Sequence, residues 1–433
     1  MKTIKYTTAD EAVRVVKSGD HIHFCGVAGF PQILADALCR RGETGELRDV
    51  RIHHLHTEGL AEYADERFAG TFFSQSFFVG ANVRKAVQAG WADYIPISLS
   101  ETQKLYRTHV IPVDVAMIMV SPVDRHGYVS LGSSVGATLA AVQNAKVVIA
   151  VENKYVPRSW GHSIIPADMI DLWVEDHTPL LQCPPAVPTA IDDQIGRHVA
   201  NLVDDGACLQ MGIGAIPNAV LARLDGHKNL GIHTEMFSDG LLPLVEKGIV
   251  NGANKVVRRN RIVATFVMGS QKVYDFIDDN PGVYMMDVKY SNAPHSIAMN
   301  PKVCAINSAL QVDITGQICA DSLGTKFYSG CGGQVDFMMG ASMSKEGKAI
   351  IAMPSATLKG VSKIVPTLSE GAGVVTPRNL VHYLVTEYGA VNLYGKSLQE
   401  RAKLIISIAH PSAQEELDRA AFERFGSHFH MGF

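Results

Sequence analysis

The chain has 433 residues, of which 47% are hydrophobic and 19% are charged, and its formal net charge is −4. These totals are typical of a globular protein with two or three domains, and they exclude a largely disordered chain. No stretch is dense in Lys and Arg, so we expect no nucleic acid partner. The seven cysteines, none at C-x-x-C spacing, favour a reducing compartment, and no apolar run is long enough to span a membrane. We therefore expect a cytoplasmic protein with no membrane partner.

Strand and helix patterns alternate from the start of the chain. "HIHFCG" (21–26) predicts a strand, "PQILADALCRR" (31–41) a helix, and "VRIHHLH" (50–56) a second strand. "VDVAMIMVS" (113–121) and "KVVIAVE" (146–152) are continuous apolar runs, typical of parallel strands that are covered on both faces. The chain is therefore expected to be an α/β protein.

Histidines are frequent in two of these strands, in "HIH" (21–23) and "HHLH" (53–56). A metal site needs a third or fourth ligand that converges on the ion, and the sequence offers no motif that supplies one. We expect structural histidines and no metal.

A proline-rich segment, "QCPPAVPTA" (182–190), indicates a linker near the middle of the chain. It divides the chain into an expected N-terminal domain, residues 1–185, and an expected C-terminal domain, residues 186–433.

The pattern that follows the linker repeats the one that precedes it. "DGACLQMGIGAIPNAVLARL" (205–224) resembles "SGDHIHFCGVAGFPQILADAL" (18–38), because in both a strand ends at a glycine and a proline stands five residues later. The next strands end in the same tripeptide, His56-Thr57-Glu58 and His233-Thr234-Glu235. We expect two similar open α/β domains with the active site at their interface.

The glycine turn "GIGAIP" (212–217) predicts an anion site, since its amides and the following helix N-terminus attract negative charge. A Rossmann dinucleotide site is an alternative, because Glu235 lies 23 residues beyond Gly212 at a strand end. Against it, Pro217 replaces the third glycine of that motif. A purely structural turn is the third interpretation.

A second glycine-rich segment, "SGCGGQVDF" (329–337), contains Gly330, Gly332 and Gly333. Glycines allow a close approach of backbone amides to a ligand, although a β-bulge or hairpin turn explains them as well. Glu235 itself has three interpretations. It is an ordinary surface residue, a carboxylate that stabilises the N-terminus of the helix after Ser238, or a catalytic group that acts as base or nucleophile.

Five blocks of the C-terminal half resemble the acetyl-CoA hydrolase/transferase family, in particular its 4-hydroxybutyrate and butyryl-CoA:acetate CoA-transferases. The N-terminal half is similar to the same family, from "SGDHIHFCGVAGFP" through "PVDVAMIMVSPVDRHGYVSLG", so the resemblance covers essentially the whole chain. The five blocks are "LQMGIGAIPNAVL", "LGIHTEMFSDG", "CAINSALQVDITGQ", "SGCGGQVDF" and "LVTEYGAVNLYGKSLQERA".

The resemblance implies a class I CoA-transferase fold and a ping-pong reaction through a glutamyl-CoA thioester on Glu235. Coenzyme A is then a substrate, as acyl-CoA, and no cofactor is permanently bound. The turn Ser238-Asp239-Gly240 and the downstream glycine segment distinguish Glu235 from Glu58, its counterpart in the repeat. Asn292 and Glu387 match positions that orient the nucleophile.

The remaining site residues follow from the same resemblance. Gly212, Ile213 and Gly214, with Ala215 and Ile216, match a segment along the CoA arm. Gly332 and Gly333 match a loop against the acyl thioester, where one of their amides is expected to donate to the oxyanion, and Gly330 of the same segment is expected to bind CoA. Further expected residues are Val27 or Gly29 as an opposing amide donor, Glu58 facing the acceptor, and Arg158 binding CoA phosphates or an acceptor carboxylate; an exposed salt bridge is the alternative for Arg158.

The expected acceptor is a short-chain carboxylate such as 4-hydroxybutyrate, butyrate or acetate, with acetyl-, butyryl- or succinyl-CoA as donor. A dicarboxylate acceptor such as itaconate or succinate is an alternative, and so is an acyl-CoA hydrolase on the same scaffold. A dinucleotide-binding oxidoreductase or sensor is the alternative from another class. A homodimer is the expected assembly.

Overall fold

Parallel strands that alternate with helices make up the first half of the chain. The computed structural model describes residues 4–426 and 429. The strands of the first half are β1 (Tyr6–Thr7), β2 (His21–Phe24), β3 (Val50–His54), β4 (Phe72–Ser76), β5 (Ala92–Tyr94), β6 (Val115–Val120), β7 (Tyr128–Ser130), β8 (Val147–Glu152), β9 (Trp160–Gly161), β10 (Ile164–Pro166) and β11 (Leu172–Glu175). Its helices are α1 (Ala9–Ala12), α2 (Gln32–Glu43), α3 (Arg84–Ala89), α4 (Leu99–Arg107) and α5 (Thr138–Asn144).

The second half has the same alternation with more short elements. Its helices are α6 (Ala190–Ala200), α7 (Ala215–Leu221), α8 (Leu242–Glu246), α9 (Gln271–Ile277), α10 (Val288–Ser291), α11 (Pro294–Ala298), α12 (Gln334–Met343), α13 (Leu398–Ser407) and α14 (Pro411–Phe425). Its strands are β12 (Cys208–Gln210), β13 (Gly231–Ile232), β14 (Met236–Phe237), β15 (Ile262–Ala264), β16 (Phe266–Val267), β17 (Val283–Met285), β18 (Val303–Asn307), β19 (Gln311–Asp313), β20 (Ile318–Cys319), β21 (Ser322–Leu323), β22 (Lys326–Phe327), β23 (Lys348–Ala352), β24 (Ile364–Val365), β25 (Tyr383–Thr386) and β26 (Gly389–Asn392).

The two main sheets share one strand order. The first has eight parallel strands in the order β1-β11-β8-β6-β2-β3-β4-β5. The second has six strands in the order β13-β12-β18-β23-β25-β26, of which β26 is antiparallel to β25 and the others are parallel. The series β3-β2-β6-β8-β11 of the first sheet corresponds in order to β13-β12-β18-β23-β25 of the second. This agreement confirms the prediction of two similar α/β units, and all six residues of β6 are buried, as its apolar run predicts.

The glycine–proline turn after the first strand of each repeat differs in detail. Pro31 is the N-cap of α2, whereas α7 begins at Ala215, so Pro217 is its third residue and not its first. The position costs no hydrogen bond, because the first-turn amides of a helix have no acceptor inside the helix. The linker segment 176–189, all of it described, has neither helix nor strand before Thr189 caps α6.

An apolar cluster joins the two halves next to Glu235. It contains Val27 and Leu99 of the first half and Met236, Phe266 and Met268 of the second. Strand β9 also leaves its own half and pairs with β17, with Trp160 opposite Tyr284. The interface is therefore a packed part of the structure, and the boundary at 185/186 stays a prediction. Within residues 4–426 and 429, no helix is long and apolar enough to cross a membrane.

Candidate active site

Glu235 lies three residues beyond β13, at the interface between the two halves. Its carboxylate accepts a hydrogen bond from Asn292 Nδ2 (3.0 Å to Oε2), and the backbone N–H of Gly333 interacts with it and lowers its pKa. The side chain is partly exposed to a cavity, and its neighbours bury the remainder. Two donors thus hold the carboxylate while one side of it is open to a ligand.

The orientation of the Asn292 amide is fixed by the residue before it. Ser291 Oγ donates to Asn292 Oδ1 (2.8 Å), which leaves the NH₂ group to face Glu235. His233, two residues before Glu235, is bonded through Nε2 to the Ser291 carbonyl (2.8 Å). The strand end that carries the acid therefore also positions its donor.

Gly333 has to be a glycine at this site because of close approach. A Cβ atom there would overlap Glu235 Oε2 and Asn292 Nδ2. The residue is also the N-cap of α12, so that the positive end of the ten-residue helix points toward Glu235. This geometry favours a negative charge, on the carboxylate or on an oxyanion formed beside it.

The acidity of Glu235 reflects opposing effects. Burial raises its pKa to about 7, Asn292 and the Gly333 amide lower it, and the neighbouring Asp336 raises it. Asp336 is itself buried, which raises its pKa to about 6. At neutral pH a substantial fraction of Glu235 is therefore ionised but poorly solvated, which is the condition under which a carboxylate is an effective nucleophile.

Two adjoining cavities meet at this site. One, of about 320 Å³, is lined by the whole predicted segment 212–216 and by Asn307. The other, of about 190 Å³, opens on Glu235 and on the predicted glycines Gly330, Gly332 and Gly333. Gly212 and Asn307 line both cavities, so a ligand with a long arm can occupy the two together.

The glycine loop (329–333) is bonded to the N-terminal half of the chain. Val79 N–H donates to the Ser329 carbonyl (3.1 Å), and Cys331 N–H donates to Tyr94 Oη (2.9 Å). Sequence reasoning missed Tyr94, because no motif marks a tyrosine at the end of a three-residue strand. It also missed Asp336, although this residue belongs to the quoted segment 329–337.

Two predicted amide donors are already bonded. The N–H of Val27 donates to the His56 carbonyl (2.9 Å), and that of Gly29 donates to the Gly26 carbonyl (3.2 Å). Val27 has a φ of 56° and packs its side chain against Met236 in the interface cluster. The expectation that one of these amides opposes the glycine loop is therefore not met in this structure.

Arg158 is in a different place from the one expected. Its guanidinium contacts Asp124 (3.0 Å) and Asp279 (3.4 Å) and stacks on Trp160. It does not line either cavity at Glu235 among the described residues. Arg158 therefore forms the salt bridges that were the alternative interpretation. The structure does not support a contact of Arg158 with CoA phosphates or with an acceptor carboxylate.

The two further predicted glutamates differ in their contacts. Both oxygens of Glu387 are bonded to Ser355, to its N–H (2.9 Å) and its hydroxyl (2.6 Å), so this carboxylate does not contact Glu235 directly. Glu58 is half-buried, 3.8 Å from His56 Nε2, and burial raises its pKa. Glu58 is not among the described residues that line the Glu235 cavity, whereas Phe78, on which His56 packs, does line it.

Comparisons with known proteins identify the family of this chain. Models of the acetyl-CoA hydrolase/transferase N-terminal and C-terminal domains match residues 3–182 and 269–421. A succinyl-CoA:acetate/propanoyl-CoA:succinate CoA transferase of Fasciola hepatica is 47% identical over 96% of this chain and 88% of that protein. The 4-hydroxybutyrate coenzyme A transferase of Clostridium kluyveri is 44% identical over 97% of this chain and 98% of its own.

The fold is shared as well. The crystal structure of RipA from Yersinia pestis, 38% identical, superposes with a TM-score of 0.92 and covers 97% of this chain and 98% of that one. These relatives cover both halves of the chain. The chain therefore belongs to the acetyl-CoA hydrolase/transferase family, and it is an enzyme that transfers coenzyme A.

Proposed function

We propose that Glu235 carries the transferred group and that CoA moves from a short-chain acyl-CoA to a short-chain carboxylate. The observation that carries this proposal is the Glu235 carboxylate itself, bonded to Asn292 and Gly333 and open to a cavity that adjoins the segment 212–216. The site lies between two halves, which restricts the access of water to a reactive acyl group.

The reaction balances as two exchanges at Glu235. A carboxylate oxygen attacks the thioester carbonyl, the C–S bond breaks, and the products are an acyl-glutamyl anhydride and CoA thiolate. The thiolate attacks the glutamyl carbonyl, the anhydride C–O bond breaks, and the donor acid leaves while a glutamyl-CoA thioester remains. An incoming carboxylate reverses both steps. The Gly333 amide and the N-terminus of α12 lie beside the Glu235 carboxylate, and this supports the stabilisation of an oxyanion formed there.

We propose a monocarboxylate such as 4-hydroxybutyrate, butyrate or acetate as the acceptor. Among residues 4–426 and 429, no Lys or Arg lines the cavity at Glu235, and a second carboxylate buried there would have no cation to pair with. The lining offers neutral groups instead, among them Gln210 and Asn307, which suit a hydroxyl group. A dicarboxylate such as succinate is the second candidate, because a relative of 47% identity is named for it.

A panel of acceptors tests the substrate class. With acetyl-CoA as the fixed donor, butyrate, 4-hydroxybutyrate, succinate and itaconate are compared by the rate at which each CoA ester forms. The proposal expects the highest kcat/KM for a monocarboxylate, and a preference for succinate or itaconate would overturn that part alone. Free thiol released without an acceptor would instead identify a hydrolase.

The covalent step is tested by intact-mass measurement and peptide digestion after mixing with an acyl-CoA. We expect a CoA adduct on the peptide that contains Glu235 and no adduct in Glu235→Gln. Glu58→Gln is the matched control, because Glu58 ends the equivalent strand of the repeat and is not bonded to Asn292 or Gly333. An adduct that persists in Glu235→Gln, or that is lost only in Glu58→Gln, contradicts the assignment. We expect a homodimer, which light scattering on the purified protein tests.

A further inference from the structure

Asp336 is a buried acid three residues beyond Gly333, in the first turn of α12. Its two carboxylate oxygens accept hydrogen bonds from one residue of the other half, Ser100: one from the N–H (3.0 Å) and one from the hydroxyl (2.8 Å). The covalent mechanism above does not use this acid. Its position therefore calls for a separate explanation.

The Ser100–Asp336 contact closes an open helix end. Ser98 is the N-cap of α4, and within the described residues its side chain makes no capping hydrogen bond. Asp336 supplies the missing acceptor from the other half, and the Gly332 carbonyl accepts from the first helical amide, Leu99 N–H (2.9 Å). The amide of Leu99 thus holds the glycine loop at Gly332, and the next amide of α4, that of Ser100, holds α12 at Asp336.

Gly333 lies between those two points. Its neighbour Gly332 is held by Leu99, and Asp336, one turn later, is held by Ser100, so the N-terminus of α4 fixes the segment that presents the Gly333 N–H to Glu235. Asn292 connects the same groups from another direction, because its side chain interacts with both Glu235 and Asp336.

We propose that Asp336 is a positioning residue: together with Ser100 it sets the Gly333 amide and Asn292 against Glu235, so that helix α4 of the N-terminal half controls the reactivity of the nucleophile in the C-terminal half. The inference deepens the proposed function and rests on it for its kinetic consequence. Its geometric part, the effect of Asp336 on Glu235, is independent of which acid is transferred.

The charge of Asp336 gives the proposal a specific signature. The titratable groups that act on Asp336 and Glu235 from the surrounding elements are Glu101 on α4, Cys331 in the glycine loop, and the two acids themselves. The negative charge of Asp336 raises the pKa of Glu235. Asp336→Asn removes that charge but keeps one side-chain oxygen as an acceptor for Ser100, so it should shift the ionisation of Glu235 to lower pH. Ser100→Ala keeps the charge and loosens the two groups that stabilise the ionised form, so it should shift the ionisation of Glu235 to higher pH.

The experiment compares Asp336→Asn and Ser100→Ala with a matched control, Asp313→Asn. Asp313 is also a buried acid of the second half, and it accepts from the N–H and the hydroxyl of one residue, Thr315 (2.8 and 2.7 Å). The rate of CoA adduct formation on Glu235 is followed in single turnovers against pH, together with the thermal midpoint of each variant.

We expect both interface variants to slow adduct formation by about tenfold to a hundredfold, because a small displacement of oriented groups costs that much. Asp336→Asn should also move the acidic limb of the pH profile to lower pH. Asp313→Asn should lower the thermal midpoint and leave the rate and the limb unchanged. A wild-type rate together with an unmoved acidic limb in Asp336→Asn would overturn the proposal. Effects of the same size in Asp313→Asn would overturn it as well. If Asp336→Asn does not fold, the rate of adduct formation in Ser100→Ala decides.

A second measurement separates this inference from the proposed function. The ionisation of Glu235 is followed by carbon NMR of labelled glutamate carboxyls, with Glu235→Gln for assignment, in wild type, in Asp336→Asn and in Ser100→Ala. A shift to lower pH in Asp336→Asn supports the inference even if no acyl-CoA forms an adduct, in which case the covalent mechanism alone fails. An unchanged ionisation of Glu235 in both Asp336→Asn and Ser100→Ala, with a normal wild-type adduct, refutes the role of Asp336 alone.

Discussion

Glu235 combines two requirements that conflict in water. A nucleophilic carboxylate has to be ionised, yet hydration makes the ionised form unreactive. Burial here raises its pKa to about 7, while Asn292 and the Gly333 amide lower it by stabilising the ionised form. The two donors therefore replace part of the lost hydration with fixed hydrogen bonds, which leave one face of the carboxylate accessible.

The pH dependence of the first half-reaction follows from this balance. Below its pKa, Glu235 is protonated and cannot attack, so kcat/KM for acyl-CoA should rise with pH through a limb near pH 7. Asn292→Ala removes a donor to the ionised form and should move the limb up by about one pH unit, with a lower plateau. Rapid-quench measurement of glutamyl-CoA adduct formation between pH 5.5 and 8.5 checks both. A limb that stays below pH 5.5 in wild type would contradict the burial argument.

Gly333→Ala tests the close approach at the same residue. The added methyl group overlaps Glu235 and Asn292, so one of them has to move, and we expect adduct formation to fall by about a hundredfold or more. The thermal midpoint separates this from unfolding. Gly226→Ala is the control, since among the described residues nothing lies within 4 Å of a Cβ there. If Gly333→Ala and Gly226→Ala were equally active, the glycine loop would be able to move away from Glu235 without loss of activity.

At the scale of the element, the turn before α7 depends on one unusual backbone conformation. Gly214, the N-cap of α7, has φ 121° and ψ −176°, a region that is essentially restricted to glycine. Gly214→Ala should distort the lining of the 320 Å³ cavity and raise KM for acyl-CoA by about tenfold, with a smaller change in kcat. Steady-state kinetics with two acyl-CoA donors checks this. If Gly214→Ala changed kcat but not KM, the CoA arm would not bind in this cavity.

The elements were predictable where the signal is local or repeated. Apolar runs predict the parallel strands, and the repeated glycine, proline and His-Thr-Glu pattern predicts two similar α/β units. The structure adds that a series of five strands has the same order in both sheets. Contacts between distant segments were not predictable from one sequence. Ser100 and Asp336 lie 236 positions apart, and neither has a local pattern that differs from that of an ordinary surface residue.

The errors have the same origin. Arg158 was expected in the pocket because its loop resembles one near the cleft, but the carboxylates that pair with it, Asp124 and Asp279, come from other segments. Val27 was assigned through its amide, yet its position in the repeat also determines the bond of that amide to His56. In both cases a partner far away in sequence decides what the residue does.

At the scale of the whole molecule, the two halves share one fold but differ in the residues that they place around the active site. Both halves end a strand with His-Thr-Glu, but only the second half places a donor asparagine and the glycine loop beside the acid, within the described residues. The first half contributes α4, Tyr94 and Phe78 around the same cavity. A site built in this way requires both halves, which explains why the relatives match over nearly the whole chain.

The first half carries a different liability, a group of buried neutral histidines in and beside its sheet. His23, His53, His54 and His56 have pKa values lowered by burial to about 3, 3, 4 and 4, and His23 is bonded to Tyr106 and Thr138. An unfolded histidine titrates near 6.5. Below that pH the unfolded chain therefore binds protons that the folded chain does not bind.

The sign of the pH effect follows directly. Stability is fully present above pH 6.5 and decreases as the pH falls toward 4, by about 1.4 kcal/mol per pH unit for each such histidine. The midpoint of urea unfolding should therefore fall steeply between pH 7 and pH 5, and His53→Gln should reduce that fall by about a quarter of the histidine contribution. His126→Gln removes an exposed histidine and should leave the slope unchanged. Suppose instead that the unfolding midpoint falls equally steeply with pH in all three proteins. The four histidines are then already protonated in the folded state, and the first sheet is not the part of the molecule that limits its stability in acid.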